Sequence, residues 1–236
     1  MKKKIKSQVE TWITRTTQHQ LRALENASRH FDGSDSLTIN LLEGIYGIES
    51  SFGARRRRRN IPGAAGDFQF EAKTARRLGL TVESGNDQRF DVDDASAAAA
   101  KYLKMLDGMF EDGASLGHGV RTIQVADSIE RVKFVLAAYN AGEGRIAKAQ
   151  QLASIAQKYP ELWADVREFL TKAGASLSKT VEVQDYVTKV EVYAAEFSEK
   201  SKADKSAKHM PPLKLLISPK GAHWITKGGR HILIGP

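Results

Sequence analysis

The feature that most constrains this chain is the spacing of its apolar residues. Up to about residue 198 they recur at intervals of three and four and almost nowhere in strict alternation. Such intervals line one face of a helix, whereas a half-buried strand needs a period of two. Leu37, Leu41, Ile45 and Ile48 form one stripe, with Ser36 as the expected N-cap and an expected end near Phe52-Gly53. A short helix is expected over 71–78, closed by Gly79, and a longer one after Asp93 or Asp94 with Ala99, Leu103, Leu106 and Phe110 facing inward. Residues 111–128 read as loop. Ile129, Val132, Leu136 and Tyr139 mark a helix that the two glycines of Asn140-Ala141-Gly142-Glu143-Gly144 should stop. Leu152, Ile155 and Tyr159 suggest another face, and Leu162, Val166 and Phe169 one more beyond Pro160. Val183, Tyr186, Val187, Val190, Tyr193 and Phe197 suggest the last. Six or seven helices and scarcely a strand make the body an all-α domain.

The flanks read differently from this body, which spans 37–198. In 1–36, Val9, Trp12, Ile13, Leu21, Leu24 and Phe31 are spaced loosely like a helix face before Asp32-Gly33-Ser34-Asp35-Ser36 breaks it, so this segment reads as a helical extension. Residues 199–211 are rich in Lys, Ser and Ala, end at Pro211 and read as a linker. In 212–236, Leu215-Leu216-Ile217 and Ile232-Leu233-Ile234 flank turn signals at Pro219-Lys220-Gly221 and Lys227-Gly228-Gly229, which predicts a small β-hairpin tail.

With 236 residues, 41% of them apolar, the chain can build a real core. It has no cysteine, so disulfides, a thiolate nucleophile and cysteine zinc sites are excluded; the cytosol and the cell envelope both accommodate such a chain. The six histidines (His19, His30, His118, His209, His223, His231) show no metal-ligand spacing, and no phosphate or dinucleotide loop is present, so no cofactor and no metal are expected. The net charge of +8 favours an anionic partner. A nucleic-acid reading is disfavoured, because the charge sits in loops and tails without interleaved aromatics. Met1-Lys2-Lys3-Lys4 begins like an export signal, but Gln8, Glu10, Thr11, Thr14 and Arg15 interrupt the apolar run that should follow. No stretch approaches the roughly 20 apolar residues of a membrane span. Synthesis in the cytoplasm without a signal peptide is therefore expected.

One residue stands out chemically. Glu49 ends an apolar helix face and is followed by Ser50, Ser51 and Phe52. A carboxyl held against apolar groups resists ionising and can donate a proton near neutral pH. The alternative is a solvated glutamate at a helix end.

The residues around it carry a resemblance. Glu49-Ser50-Ser51-Phe52, then Gly63-Ala64-Ala65-Gly66-Asp67-Phe68-Gln69, then Ala138-Tyr139-Asn140-Ala141-Gly142, then Glu182 with Tyr186-Val187-Thr188-Lys189-Val190, resemble in order and spacing the motifs of the soluble lytic transglycosylase family; the helix after Asp87 is also similar. The resemblance covers 37 to about 197. It implies a lysozyme-like α-domain acting on peptidoglycan glycan strands at the bacterial wall, at the β-1,4 link between N-acetylmuramic acid and N-acetylglucosamine. It implies Glu49 as the single acid and base, yielding a 1,6-anhydro-muramoyl product, and Ser50, Asn60, Gln69, Tyr139, Asn140 and Tyr186 as substrate-binding residues. Tyr139 should lie close to Glu49, and Tyr186 should close the groove from the last helix.

Two departures leave alternatives open. Asp67-Phe68 stand where Leu-Met is usual, so Asp67 is expected either to raise the pKa of Glu49 or to be the second carboxylate of a lysozyme-type hydrolase, a role also open to Asp91, Asp93 and Asp94. Asn60 stands where a serine is common. Arg55 to Arg59 form a run expected to be solvated or to touch acidic wall polymers. A wall enzyme without an export signal implies delivery by lysis, by a phage particle or by a secretion machine. Trp224 and His231 lie in a tail faintly similar to closing segments of phage structural proteins, so a phage or prophage origin is expected, with a secretion system as the alternative; from the absent signal, 1–36 and 212–236 are expected to be docking elements.

Overall fold

The structure, a computed structural model, describes residues 6–33, 35–56, 62–209, 223–227 and 230–234. In chain order it comprises α1 (Gln8–Arg15), α2 (Gln18–Ser28), α3 (Ile39–Ser50), α4 (Ala72–Arg77), β1 (Val82–Glu83), β2 (Asn86–Asp87), α5 (Val92–Asp112), β3 (Ser115–Gly117), β4 (Val120–Arg121), α6 (Ser128–Ala141), α7 (Glu143–Ile155), α8 (Trp163–Val166), α9 (Leu177–His209), β5 (His223–Lys227) and β6 (Arg230–Ile234). The chain divides into two compact units, Met1–Ser198 and Glu199–Pro236. The first is almost entirely helical. No helix among the described residues is long and apolar enough to cross a membrane.

The first unit is built around α5, whose Ala95, Ala99, Leu103, Leu106 and Phe110 are all fully buried and which packs against α2 and α6. Asp91, rather than Asp93 or Asp94, caps α5: its carboxylate accepts from the backbone N–H groups of both. Helix α3 likewise starts two residues later than its apolar stripe suggests. Thr38 is extended and its hydroxyl accepts from Leu41 N–H, whereas Ser36 takes a left-handed φ of 53° and bonds the Ser128 hydroxyl instead.

Helices α1 and α2 are packed into the same core as the rest, burying Val9, Trp12, Ala23, Leu24 and Ala27. Both begin with complete capping boxes, Ser7 with Glu10 and Thr17 with Gln20, which fixes where each short helix starts. Gly47 is what lets α1 reach α3. A Cβ there would lie 2.5 Å from the Trp12 ring, so an indole occupies the room a side chain would need.

Four sequence expectations are corrected by the structure. Gly142 alone ends α6, and α7 begins at once with Glu143, so Gly144 is helical. The buried face of α7 is Ile146, Ala147, Ala149, Gln150 and Ala153, small residues that permit close approach, while Ile155 and Tyr159 are 79% and 64% exposed. Residues 199–209 continue α9 instead of forming an open linker, as a Lys- and Ala-rich composition permits. Two short hairpins, β1–β2 and β3–β4, interrupt the helices, the second inside the stretch expected to be loop. In the second unit β5 and β6 pair antiparallel, His223 with Ile234 through Lys227 with Arg230, across the two-residue Gly228-Gly229 connection. Residues 215–217 lie outside the described residues.

Candidate active site

Glu49 sits in the last turn of α3, where the unsatisfied carbonyls of a helix end disfavour a negative charge. Ser51 and Phe52 then take left-handed φ values of 51° and 56°, so the chain turns sharply away, and Glu49 lines a cavity. Tyr186, from α9, donates its hydroxyl to Glu49 Oε1 at 2.7 Å. Burial pushes the Glu49 carboxyl up to about 7; the Tyr186 hydrogen bond and the Lys179 ammonium pull the other way, and Glu182 adds to the rise. Asp67 is not among these causes.

Tyr139 stacks parallel to Tyr186 with ring centroids 6.4 Å apart, and its hydroxyl donates to the Phe68 carbonyl at 3.0 Å. Burial, and then the neighbouring Glu49, raise both phenols well above their ordinary value, so both remain hydrogen-bond donors at neutral pH. Tyr186 touches the carboxyl directly, while Tyr139, near enough for Glu49 to raise its phenol, also ties α6 to the turn that carries Gln69.

That turn is closed by a bridge between Ala65 and Phe70. Gly66 has φ 82°, and a Cβ there would fall 1.8 Å from the Arg89 carbonyl, so no other residue fits without moving the backbone. Gln69 is itself left-handed, φ 49°, and its side-chain amide donates to the Gly66 carbonyl at 2.7 Å. Asp67 points away from the cavity. It is fully buried, and its Oδ1 accepts from Arg56 Nε at 2.8 Å and from the Tyr46 hydroxyl at 3.1 Å. Asp67 therefore neither raises Glu49 nor supplies a carboxylate beside it. Arg56 also donates to the Phe90 carbonyl at 3.1 Å, so it is tied into the fold while part of its side chain stays exposed; Arg57, Arg58, Arg59 and Asn60 lie outside the described residues.

The cavity has a volume of about 890 Å³ and brings Glu49, Gln69, Tyr139 and Asn140 together. Ser50 is not part of it. That side chain is 1% exposed and accepts from Gly53 N–H at 3.0 Å, because it lies on the core side of the helix end. Asp91, Asp93 and Asp94 do not line it either: Asp91 caps α5, Asp93 meets His19 at 2.6 Å and Asp94 accepts from Gln88 at 2.7 Å.

Other wall residues escaped the sequence reading. Arg77 of α4 pairs with Glu143 at 2.7 Å and lies 5.5 Å from the Tyr102 ring centre, while the Tyr102 hydroxyl donates to Glu143 at 3.1 Å. Their partners are 41 and 66 residues apart, beyond the reach of local spacing; the only available signal was that Glu143 directly follows the Ala138–Gly142 motif. On the α9 side, Lys179 pairs with Glu182 at 2.8 Å and the Asn140 amide donates to the same oxygen at 3.2 Å. Burial works against the Glu182 charge, but Lys179 and Asn140 hold its carboxyl below the ordinary value. Asn140 Oδ1 is buried with no hydrogen-bond partner among the described residues.

The arrangement is a proton donor near neutral pH, held by one phenol, in a cleft with polar walls. The transglycosylase SLT domain model matches residues 32–161. A membrane-bound lytic murein transglycosylase F from Marinobacter nauticus is 30% identical over 108 residues, 46% of this chain and 18% of that protein. A protein of the same name from Desulfosudis oleivorans is 31% identical over 108 residues, 46% of this chain and 20% of its own. The chain thus spans about a fifth of the length of these relatives. With its motif order, its helical fold and more than half of its length matched, this chain belongs to the transglycosylase SLT domain family.

Proposed function

We propose that the chain is a peptidoglycan lytic transglycosylase, with Glu49 acting first as acid and then as base on the bond between N-acetylmuramic acid and N-acetylglucosamine. The observation that carries this reading is the Glu49 carboxyl, pushed to about 7 by burial in the lining of a cavity large enough for sugar rings. The family and the names of its relatives point to the same chemistry.

In the proposed reaction Glu49 gives its proton to the bridging oxygen as the bond to the muramoyl C1 breaks. The resulting carboxylate is stabilised by the Tyr186 hydroxyl. It then accepts the proton of the muramoyl C6 hydroxyl while that oxygen bonds to C1. No water is consumed, and Glu49 is protonated again at the end. One carboxyl suffices because the nucleophile is part of the substrate and already close to C1. Asn140, Gln69 and Tyr139 line the cavity beside Glu49 and offer polar side chains to the sugar. Catalysis is assigned to 37–198 with α1 and α2 as its brace.

A lysozyme-type hydrolase is the second reading, favoured by Glu182, a carboxylate that favours its charged form and lines the same cavity. It would activate water for attack on C1. Digestion of isolated peptidoglycan followed by mass spectrometry separates the two. The transglycosylase reading expects muropeptides lighter by one water than those with a reducing end; reducing ends would establish hydrolysis, and no cleavage would remove both.

A further inference from the structure

Three cationic side chains line the cavity: Lys73, Arg77 and Lys179. Two are already neutralised, Arg77 by Glu143 and Lys179 by Glu182. The Lys73 ammonium makes no ion pair or hydrogen bond among the described residues, and it is exposed on α4 at the cavity wall. Glu71, two residues earlier on the same wall, is similar. It occupies the N-cap position of α4, yet its carboxylate makes no capping hydrogen bond, and the side chain is exposed at the cavity. The wall thus presents one cation and one anion that are unengaged among the described residues, while Arg77 and Lys179 are paired with Glu143 and Glu182.

The N-acetylated sugar rings themselves are uncharged and have no use for such a pair. A peptide does, because it carries carboxylates and, where it contains a diamino acid, a free ammonium. In peptidoglycan those groups hang from the lactyl ether of every muramoyl residue. We propose that the α4 wall is a peptide-binding subsite, with Lys73 pairing a carboxylate of the stem peptide and Glu71 its ammonium, so that the enzyme selects peptide-bearing strands over stripped ones. This rests on the peptidoglycan reading above and names the substrate form it prefers. The muramoyl lactyl carboxylate, exposed when the peptide is removed, is the other source of the same anion, and the substrates below distinguish the two.

The test compares wild type, Lys73→Ala, Glu71→Gln and the double variant on two substrates: peptide-bearing strands, and strands whose peptides have been removed by an amidase. Both side chains are exposed, and thermal melts check that the variants remain folded. Exposed ion pairs are individually weak, so Lys73→Ala should raise KM on peptide-bearing strands about three- to fivefold relative to its effect on stripped strands, with kcat little changed. That preference should shrink as salt is raised. An equal loss on both substrates would mean that Lys73 reads the lactyl carboxylate or the sugar, and would overturn the proposal. No change on either would overturn it as well. Wild type cleaving neither substrate is a different failure: it removes the enzymatic reading itself and this inference with it.

Discussion

The two sides of the last turns of α3 are built on opposite principles. On the front, Glu49 meets a phenol, and the charged groups Lys179 and Glu182 lie near enough to move its pKa. On the back, Gly47 lies under the Trp12 indole, which packs among Phe52, Tyr193 and Phe197 with ring centroids 4.9–6.4 Å away. Gln20 of α2 completes that side by donating to the Tyr46 hydroxyl and the Phe52 carbonyl, both at 2.9 Å. The back is fixed mainly by volume, the front by charge and by the proton on Glu49. Everything α1 and α2 contribute lies before residue 32, where the family match begins, so the brace comes from a segment outside that match.

Substitutions should separate the two sides. The largest effect belongs to the front: Glu49→Gln should lower kcat on peptidoglycan by about 10²–10⁴-fold, the usual worth of a positioned acid or base, with the circular dichroism spectrum unchanged. Next is the back. Trp12→Ala should cost about 3–5 kcal/mol in urea unfolding while leaving kcat per folded molecule close to wild type, as expected for a truncated core aromatic. A loss of kcat in fully folded Trp12→Ala would merge the two sides.

The proton itself has a stability signature. The folded state holds Glu49 protonated up to about pH 7, whereas the unfolded chain releases that proton near 4.5. The folded state therefore binds more protons between those values, and this group lowers stability as pH rises through that window. Glu49→Gln should accordingly be more stable than wild type at pH 8 by about 1–3 kcal/mol, and no more stable at pH 4. The smallest effect concerns Tyr186→Phe. It removes a hydrogen bond that favours the Glu49 carboxylate, so the alkaline limb of kcat/KM should move upward by roughly half a pH unit to one unit.

Much of the helical frame was legible because spacing reports burial. Leu41 and Ile45 of α3, Leu103 and Phe110 of α5, and Val183, Val187 and Val190 of α9 all proved buried. Spacing failed where small residues replace large ones, as in α7, whose inner face is mostly alanine. In the site, Glu49, Gln69, Tyr139 and Asn140 were found by motif and do meet in one cavity. The rest depends on contacts between residues distant in the chain. Nothing local indicates that Trp12 covers Gly47, that Arg56 of a basic run neutralises a buried Asp67, or that Arg77 reaches Glu143. Ser50 shows the converse: its motif suggested the substrate, but the helix phase turns it into the core.

The measurement closest to the centre of this account is the titration of the Glu49 carboxyl, followed by ¹³C NMR with side-chain carboxyl labelling and assigned by its disappearance in Glu49→Gln. A midpoint near 7 is predicted. A midpoint near the ordinary 4.5 would leave the residue ionised at neutral pH, unable to protonate a glycosidic oxygen, and would contradict the mechanism.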